Sequence, residues 1–179
     1  MNRRALLLNE LAGEIHRVGA RRIAIDGVDG AGKTTFADEL MAVMDHPPAR
    51  VSADDHLNPT DVRHARGRRD PEGFWLDSYD HASLRSAVEA AEPVIVDGLF
   101  LHRDELADLW DFSIWLDVPF EVSVARVAAR DGSSPDPADP SQRRHVDGNR
   151  IYFDACKPWQ RATVVIENTD LEAPLIVTV

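Results

Sequence analysis

One eight-residue tract constrains the fold of this 179-residue chain more than any other feature. The pattern G-x-x-x-x-G-K-[ST] is met in full by Gly27-Val28-Asp29-Gly30-Ala31-Gly32-Lys33-Thr34, which stands between a short apolar run and an amphipathic one. Glycines at this spacing let successive backbone N–H groups face a phosphate, and a helix that starts there adds partial positive charge. The tract therefore predicts a strand–loop–helix unit that binds nucleotide phosphates.

The residue types within the loop indicate how ATP and Mg²⁺ would be held. Lys33 can reach the β- and γ-phosphates, and the Thr34 hydroxyl can ligate Mg²⁺. Only two of the twenty basic residues are lysines, so a lysine at position 33 suggests that a compact ammonium is needed there. From the loop we expect nucleotide contacts by Gly27, Asp29, Gly30, Ala31, Gly32, Lys33, Thr34 and Thr35.

Short apolar runs alternate with helical periodicity along the rest of the chain. Strands are predicted at Arg22–Asp26, Arg50–Ala53, Val94–Asp97, Phe112–Leu116 and Thr163–Ile166, with an edge strand at Leu175–Val179. Helices are predicted for the opening segment up to Gly19 (with Leu7, Leu11, Ile15 and Val18 on one face), Phe36–Met44, His81–Ala91, Glu105–Leu109, Phe120–Arg130 and Gln142–Cys156. Asn58–Gly73 and Asp131–Ser141 fit no regular element. We expect one α/β domain over residues 1–179, with a parallel sheet and helices on both faces.

Composition narrows the functional classes. The formal net charge of −11 disfavours nucleic acid or an anionic membrane as a partner. No apolar run approaches the roughly 20 residues that span a bilayer. Polar Asn9 and Glu10 interrupt the leucine-rich opening, so we expect a cytoplasmic protein without a signal peptide. The lone Cys156 cannot form an internal disulfide and is expected to be a half-buried helix residue.

Two predicted strand ends supply carboxylates. Asp54 and Asp55 follow one strand and Asp97 follows the next, so both strand ends should meet at the edge of the sheet that carries the glycine loop. We predict that Asp54 is the catalytic base and that Asp97 and Asp54 stand on the metal side, with Asp55 and His56 facing the substrate. An aspartate after a strand also commonly caps a turn, and that alternative stays open.

Arginines flank the Pro- and Asp-rich loop at 131–141. Arg126 and Arg130, one helical turn apart, precede it, and Arg143 and Arg144 follow it. Such arginines could close over phosphates, or they could line a solvated face; Arg130 is the best candidate because it adjoins the loop. A second basic cluster, which could contact an anionic substrate or simply be solvated, comprises Arg63, His64, Arg66, Arg68 and Arg69.

These residues resemble the uridine kinase-like group of P-loop kinases, which includes uridine–cytidine kinases, nicotinamide riboside kinases and phosphoribulokinase. The similar tracts are Ile25–Thr35, Val51–His56, Arg66–Arg68, Asp70–Phe74, Val94–Arg103 and Arg126–Asp131. The resemblance implies a three-layer fold with a five-stranded parallel sheet in the order 2-3-1-4-5, ATP as the phosphoryl donor and Mg²⁺ as the cofactor.

The resemblance also implies roles for matching residues. Lys33, Asp54 and Arg130 match catalytic positions, Asp97 matches the acid after the third strand, and Arg126 and Arg130 lead into a lid at about 131–141. The acceptor-binding segment would lie at about 58–80. Expected substrate contacts are Asp55, His56, Phe74 and Arg103. His56 and Leu57 replace the aromatic residues usual in uridine kinases, which leaves the identity of the acceptor open.

The predicted function is transfer of the γ-phosphoryl group of ATP to a hydroxyl of a nucleoside or a similar small metabolite, by a possible homo-oligomer. A nucleoside monophosphate kinase is an open alternative, because the basic cluster would suit a phosphate and Val28–Thr35 also resembles thymidylate kinase. A regulatory nucleotide binder is the other alternative. A guanine switch would carry Asn-Lys-x-Asp, whereas Glu167-Asn168-Thr169-Asp170 lacks the lysine.

Overall fold

The computed structural model describes residues 2–177. Its strands are β1 (Arg22–Gly27), β2 (Ala49–Ser52), β3 (Val94–Gly98), β4 (Phe112–Asp117), β5 (Val164–Glu167) and β6 (Leu175–Val177). Its helices are α1 (Arg3–Val18), α2 (Lys33–Ala42), α3 (Thr60–Arg63), α4 (Pro71–Asp77), α5 (His81–Ala91), α6 (Phe120–Asp131), α7 (Arg143–Cys156) and α8 (Pro158–Arg161). Short 3₁₀ turns lie at Ala53–His56 and Ala107–Leu109.

The sheet has the order β2-β3-β1-β4-β5-β6. The first five strands are parallel in the predicted order, and β6 pairs antiparallel with β5. The predicted α/β class is therefore confirmed. The sheet has six strands and not five, because β6 adds an edge strand next to β5. A short connection from β5 returns the chain beside its own strand, which forces the antiparallel direction. Residues 178–179 of the predicted edge strand lie outside the described residues.

The central strands are apolar because helices cover both of their faces. Every residue of β3 is buried, as are five of the six residues of β1. Leu7, Leu11 and Ile15 pack from α1 into the core, and Gly19 ends that helix in a left-handed conformation with φ 67°. Val18, which the periodicity placed on the same face, is 47% exposed because it is the last helical residue.

The segment predicted to be irregular, 58–73, contains α3 and the start of α4. Asp70 caps α4 by accepting a hydrogen bond from Gly73 N at 2.6 Å, and Pro71 occupies the first turn. The Asp-Pro pair is thus a helix start rather than a loop signal. Conversely, the helix predicted at Glu105–Leu109 is only the 3₁₀ turn at Ala107–Leu109.

The loop predicted after α6 is present. Gly132 ends the helix with φ 77°, and residues 132–142 form turns without a strand or a further α-helix. Cys156 is buried at the end of α7 rather than half-buried, and its burial raises the pKa of the thiol. Among residues 2–177, no helix is both long and apolar enough to cross a membrane.

Candidate active site

The glycine loop joins β1 to α2 at the carboxyl edge of the sheet. Gly30 and Gly32 adopt left-handed conformations with φ 77° and 90°. A Cβ on Gly30 would lie 2.3 Å from the carbonyl oxygen of Ser123, so the loop also depends on this glycine to pack against α6. The loop is therefore held in a fixed curve by backbone conformation and by a close helix contact.

Lys33 and Thr34 begin α2 at the mouth of this curve. The Lys33 ammonium donates to the Val28 carbonyl oxygen at 2.9 Å and so lies across the loop. Thr34 is exposed, and its hydroxyl donates to Asp97 Oδ2 at 2.7 Å. The structure thus brings together the loop lysine, the loop threonine and the acid at the end of β3.

Asp97 is a buried carboxylate, 3% exposed. Its Oδ1 lies 2.9 Å from Nη2 of Arg50 on β2, an ion pair that is not aligned as a hydrogen bond. Oxygen ligands such as the Thr34 hydroxyl and this carboxylate suit Mg²⁺. Across residues 2–177, no group of three or more His, Cys, Asp or Glu side chains could hold a metal ion.

The turn that carries Asp54 packs on the end of β3. Ala53 is fully buried, and a Cβ on Gly98 would lie 2.3 Å from the Ala53 Cβ. Asp54 itself is exposed, and its Oδ1 accepts a hydrogen bond from the Tyr79 hydroxyl at 3.0 Å. The close approach at Gly98 therefore places the Asp54 turn directly beside the strand end that carries Asp97.

Tyr79 is a site residue that the sequence did not identify, although the predicted acceptor segment includes its position. Burial, followed by the charges of Asp54, Asp29 and Asp26, raises the pKa of Tyr79 well above its usual value. Tyr79 therefore keeps its proton and orients Asp54 as a donor. The sequence offered one signal for this role, an aromatic residue at the end of a charged segment. Aromatic residues in such places more often pack against the core, so the signal is weak.

The two residues after Asp54 lie on the same turn. Asp55 is exposed, and His56 Nδ1 lies 2.8 Å from the Ser83 Oγ at the start of α5. His56 is half-buried, and the predicted contact of both side chains with substrate stays a prediction.

The two arginines of α6 have different surroundings. Arg126 donates to the carbonyl oxygens of Gly30, Asn168 and Thr169 at 3.2, 3.0 and 2.6 Å, and burial lowers its pKa. Arg126 therefore ties the loop to the segment after β5. Arg130 is exposed at the rim of a cleft between α6 and α7.

This cleft has a volume of about 210 Å³ and opens beside the glycine loop at Val28 and Asp29. Its walls are partly apolar, with Phe120, Val124, Val127 and Val146 among them. Asn149, 2% exposed, also lines it; its Nδ2 donates to the His145 carbonyl oxygen at 2.9 Å, while its Oδ1 receives no hydrogen bond. This amide oxygen has almost no solvent access, so it lies behind the wall of the cleft.

Phe74 and Arg103, both predicted to contact substrate, are packed away. The Phe74 ring meets Phe100 and His145 edge to face at centroid distances of 5.2 and 4.7 Å. Arg103 is 3% exposed and pairs with both carboxylate oxygens of Glu105 at 2.8 and 2.9 Å, which holds the pKa of Glu105 at about 2. Their placement argues against direct contact with an acceptor in this conformation.

Much of the basic cluster is also engaged. Arg63 donates to the Asn58 carbonyl oxygen at 2.8 Å, and Arg66 pairs with Asp77 at 2.8 Å. Arg144, buried beside them, donates to the carbonyl oxygens of Asp70 and Arg63 at 3.0 and 2.8 Å. Arg144 thus holds α3 and the start of α4 against α7, and Arg66 joins the segment after α3 to the end of α4, while Arg68 and Arg69 are exposed.

A second support of the loop was also missed. Asn168, fully buried after β5, donates from Nδ2 to the Ala31 carbonyl oxygen at 2.8 Å. Its Oδ1 accepts from Arg4 Nη1 of α1 at 3.2 Å. The sequence offered Asn168 only as part of a failed guanine-switch motif, because nothing local reveals a partner 137 residues away.

Comparison with known families places the chain among nucleotide-binding folds. The family model described as AAA domain matches residues 23–147, more than half of the chain. The thymidylate kinase of Xanthomonas euvesicatoria pv. vesicatoria is 32% identical over 146 residues, a match that covers 65% of this chain and 64% of that protein. The thymidylate kinase of Xanthomonas oryzae pv. oryzae is 34% identical over the same shares. The chain thus spans 64% of the length of these curated relatives.

A solved structure shares most of the architecture. The structure of a possible uridine kinase from Bacillus stearothermophilus matches with a TM-score of 0.67 and 20% sequence identity. The match covers 88% of this chain and 96% of that one. The predicted resemblance is thereby confirmed at the level of the fold.

Proposed function

This chain belongs to the AAA domain family, and from that premise we propose that it is a kinase that transfers the γ-phosphoryl group of ATP to a hydroxyl of a nucleoside-like small molecule. The proposal rests on the presence of two aspartates, Asp97 and Asp54, on neighbouring segments beside the glycine loop. Asp97 holds the Thr34 hydroxyl, and Asp54 stands exposed on the neighbouring turn. A nucleotide switch needs a metal-side acid, but an additional exposed carboxylate held by a tyrosine suits an enzyme that must orient an acceptor.

On the donor side, the chain's own groups would bind and orient the triphosphate. The N–H groups of the loop and of the α2 start would meet the phosphates, and Lys33 would exchange the Val28 carbonyl for phosphate oxygens. Arg130, exposed at the rim of the cleft, could reach the transferring group when the 132–142 loop closes. Mg²⁺ held at Thr34 and Asp97 would offset charge on the β- and γ-phosphates.

On the acceptor side, Asp54 would accept a hydrogen bond from the attacking hydroxyl. This bond would aim the oxygen at the γ-phosphorus and give its proton a place to go. The Tyr79 hydroxyl fixes one carboxylate oxygen, so the other is free to face the acceptor. Because Tyr79 retains its own proton, it stays a hydrogen-bond donor to Asp54 while Asp54 takes up the proton of the acceptor hydroxyl and later releases it.

The cleft between α6 and α7 is the best candidate for the body of the acceptor. Its partly apolar walls suit a ring, and a turn of the Asn149 side chain would bring the unpaired Oδ1 to a ring N–H or amino group. Asp29 at its mouth would accept from a sugar hydroxyl. A flat heterocycle with a hydrogen-bond donor, attached to a sugar, fits this combination of groups.

A nucleoside monophosphate kinase is the second candidate, and the similarity to two curated thymidylate kinases favours it. Such an enzyme must bind the acceptor phosphate with cations. Arg63, Arg66 and Arg144 already bind backbone carbonyls or Asp77 in this structure, which leaves fewer guanidinium groups for a phosphate. The hydroxyl acceptor therefore remains our first choice.

Acceptor-dependent ADP release tests the proposal. The purified chain would be given Mg²⁺-ATP with uridine, cytidine, thymidine, other nucleosides, simple sugars and nucleoside monophosphates in separate reactions. We expect a nucleoside to raise ADP release well above the rate without acceptor. A response to monophosphates alone would favour the second candidate, and one low rate with every compound would overturn both.

A further inference from the structure

A buried polar cluster lies directly behind the glycine loop. Asp26, the β1 residue before Gly27, has no solvent exposure. Its Oδ2 accepts from the Tyr152 hydroxyl at 2.5 Å, from His102 Nδ1 at 2.8 Å and from the His102 backbone N–H at 3.2 Å. Its Oδ1 accepts from the Gly27 N–H at 2.8 Å. One carboxylate thus receives four hydrogen bonds from three segments of the chain.

The cluster is more polar than this position in the fold requires. The preceding β1 residues Ile23, Ala24 and Ile25 are buried and aliphatic, and burying a carboxylate is costly unless several donors satisfy it. The Tyr152 hydroxyl also accepts from the His102 N–H at 3.0 Å, and burial followed by the Asp26 charge raises the pKa of Tyr152 well above its usual value. Tyr152 therefore stays a donor to Asp26. Nε2 of His102 is buried without a hydrogen-bond partner, so the donors of the cluster are directed at the Asp26 carboxylate and fix its position.

The geometry at Gly27 shows what the cluster fixes. The peptide between Asp26 and Gly27 is the first of the loop, and the Asp26 side chain bonds its N–H. Gly27 is closely packed, because a Cβ there would lie 3.0 Å from both the Ala31 Cβ and the Leu116 carbonyl oxygen. Rotation of this peptide would therefore be passed on to the amides that follow it in the loop.

The cluster also connects the loop to α7. His145, Asn149 and Tyr152 are spaced four and three residues apart, so they lie along one face of that helix. The first two line the α6–α7 cleft, and the third reaches Asp26. The same helix begins directly after the 132–142 loop, so one rigid element borders that loop, the cleft and the cluster.

We propose that Tyr152 and His102 are positioning residues of the nucleotide site, which act through Asp26 to fix the peptide at the start of the glycine loop. The proposal rests on the proposed nucleotide-binding function and extends it to residues that touch neither phosphate nor acceptor. Loss of one donor would leave the Asp26 carboxylate under-satisfied and let the Gly27 peptide shift, so the loop would bind phosphates less well.

The test compares Mg²⁺-ADP affinity among folded variants by calorimetry in the absence of any acceptor. Tyr152→Phe removes one hydroxyl and keeps the ring contacts with Phe100 and Trp115. We expect its Kd for Mg²⁺-ADP to rise roughly five- to tenfold, since part of a charge-assisted hydrogen bond is transmitted to the loop. Ser113→Ala is the control, because it removes a buried hydroxyl on β4 that accepts from the Thr163 N–H at 3.2 Å; its Kd should stay within about twofold of wild type.

A second pair keeps the test decisive if Tyr152→Phe does not fold. His102→Asn retains a donor near the position of Nδ1, whereas His102→Leu removes it, so only the leucine variant should weaken Mg²⁺-ADP binding. A merely structural cluster would lower the thermal midpoint without changing affinity or the ¹⁵N–¹H resonance of Gly27, which we expect to move in the weakened variants.

Two contrary results are distinguishable. Folded Tyr152→Phe and His102→Leu variants that bind Mg²⁺-ADP as well as a normally binding wild type would overturn this inference alone. A wild-type protein that binds no Mg²⁺-ADP would overturn the nucleotide site itself and this inference with it.

Discussion

The donor and acceptor sides of the site are built in different ways. The proposed phosphate side is a contiguous tract whose backbone N–H groups would do most of the binding. Asp26 and Asn168 bond the backbone of this tract, and Asp97 accepts from the Thr34 hydroxyl. The proposed acceptor side would be assembled from the turn after β2, the end of segment 58–80 and two helices. Contiguous backbone sites can be recognised in a sequence, whereas sites made of side chains from distant elements depend on which groups the fold has already paired.

The arginines make this difference concrete. Residue type alone suggests that Arg63, Arg66, Arg103 and Arg144 could all bind an anion. The fold uses each of them to hold carbonyl oxygens or carboxylates on neighbouring segments. Arg130 is exposed at the cleft instead. The following predictions test whether the two sides are as separable as this comparison implies.

The largest effect should come from Asp54→Asn. An asparagine keeps the size of the side chain but cannot take the hydroxyl proton, so we expect acceptor-dependent kcat to fall by roughly 10²- to 10⁴-fold. The Kd for Mg²⁺-ATP, measured by calorimetry, should stay within about twofold because the donor side is intact. Asp55→Asn is the matched neighbour and should cost much less, since Asp54 is the acid bonded to Tyr79. Equal losses in both variants would refute the assignment of Asp54.

An intermediate effect is expected at Asp97. Asp97→Asn weakens the hold on the Thr34 hydroxyl, so the Mg²⁺ concentration for half-maximal activity should rise roughly 10- to 100-fold. Activity would be measured across a Mg²⁺ titration at fixed ATP. Thr34→Ser, which retains the hydroxyl, should stay near wild type, and Thr34→Val should resemble Asp97→Asn. If Asp97→Asn and Thr34→Val needed no more Mg²⁺ than the wild type, neither residue would be a ligand of the metal.

A smaller effect distinguishes a free arginine from a paired one. Arg130→Gln should lower kcat roughly tenfold or more, because a cation near the transferring phosphoryl group would be lost. Arg66→Gln removes a guanidinium of the same kind that is bonded to Asp77, and it should change kcat by less than about twofold. Steady-state rates at saturating ATP and acceptor decide between them. A larger loss at Arg66 would place the basic cluster at the acceptor and favour a phosphate acceptor.

The smallest effect concerns stability on the acceptor side. Burial, with Arg103 acting in the same direction, lowers the pKa of His81 from 6.5 to about 4. In the unfolded chain His81 binds a proton below about pH 6.5, whereas in the folded chain it does so only below about pH 4. His81 therefore lowers the free energy of unfolding as the pH falls from about 6.5 to about 4. His81→Gln should reduce that fall, as measured by urea unfolding at about pH 7 and about pH 5. Exposed His46→Gln is the control, and identical profiles for both variants would contradict the prediction.

The sequence predicted the donor side in residue detail and the acceptor side only in outline. Lys33, Thr34 and Asp97 followed from local spacing, because a glycine loop dictates the elements on both sides of it, and the strand order followed from the family resemblance. Tyr79 and Asn149 were missed because their significance depends on partners, or missing partners, that only the folded chain defines. Arg103 was proposed as a substrate contact since nothing in its neighbourhood reveals that Glu105 and Trp75 would engage it.

Direct detection of the phosphorylated product tests the central claim most plainly. A mixture of nucleosides and Mg²⁺-ATP would be incubated with the wild-type chain and with Asp54→Asn, and the products identified by mass spectrometry. The account predicts that the wild type converts a nucleoside to its monophosphate and that Asp54→Asn does so at a rate lower by at least roughly 10²-fold. ADP formed without any phosphorylated nucleoside, or equal product from both proteins, would contradict it.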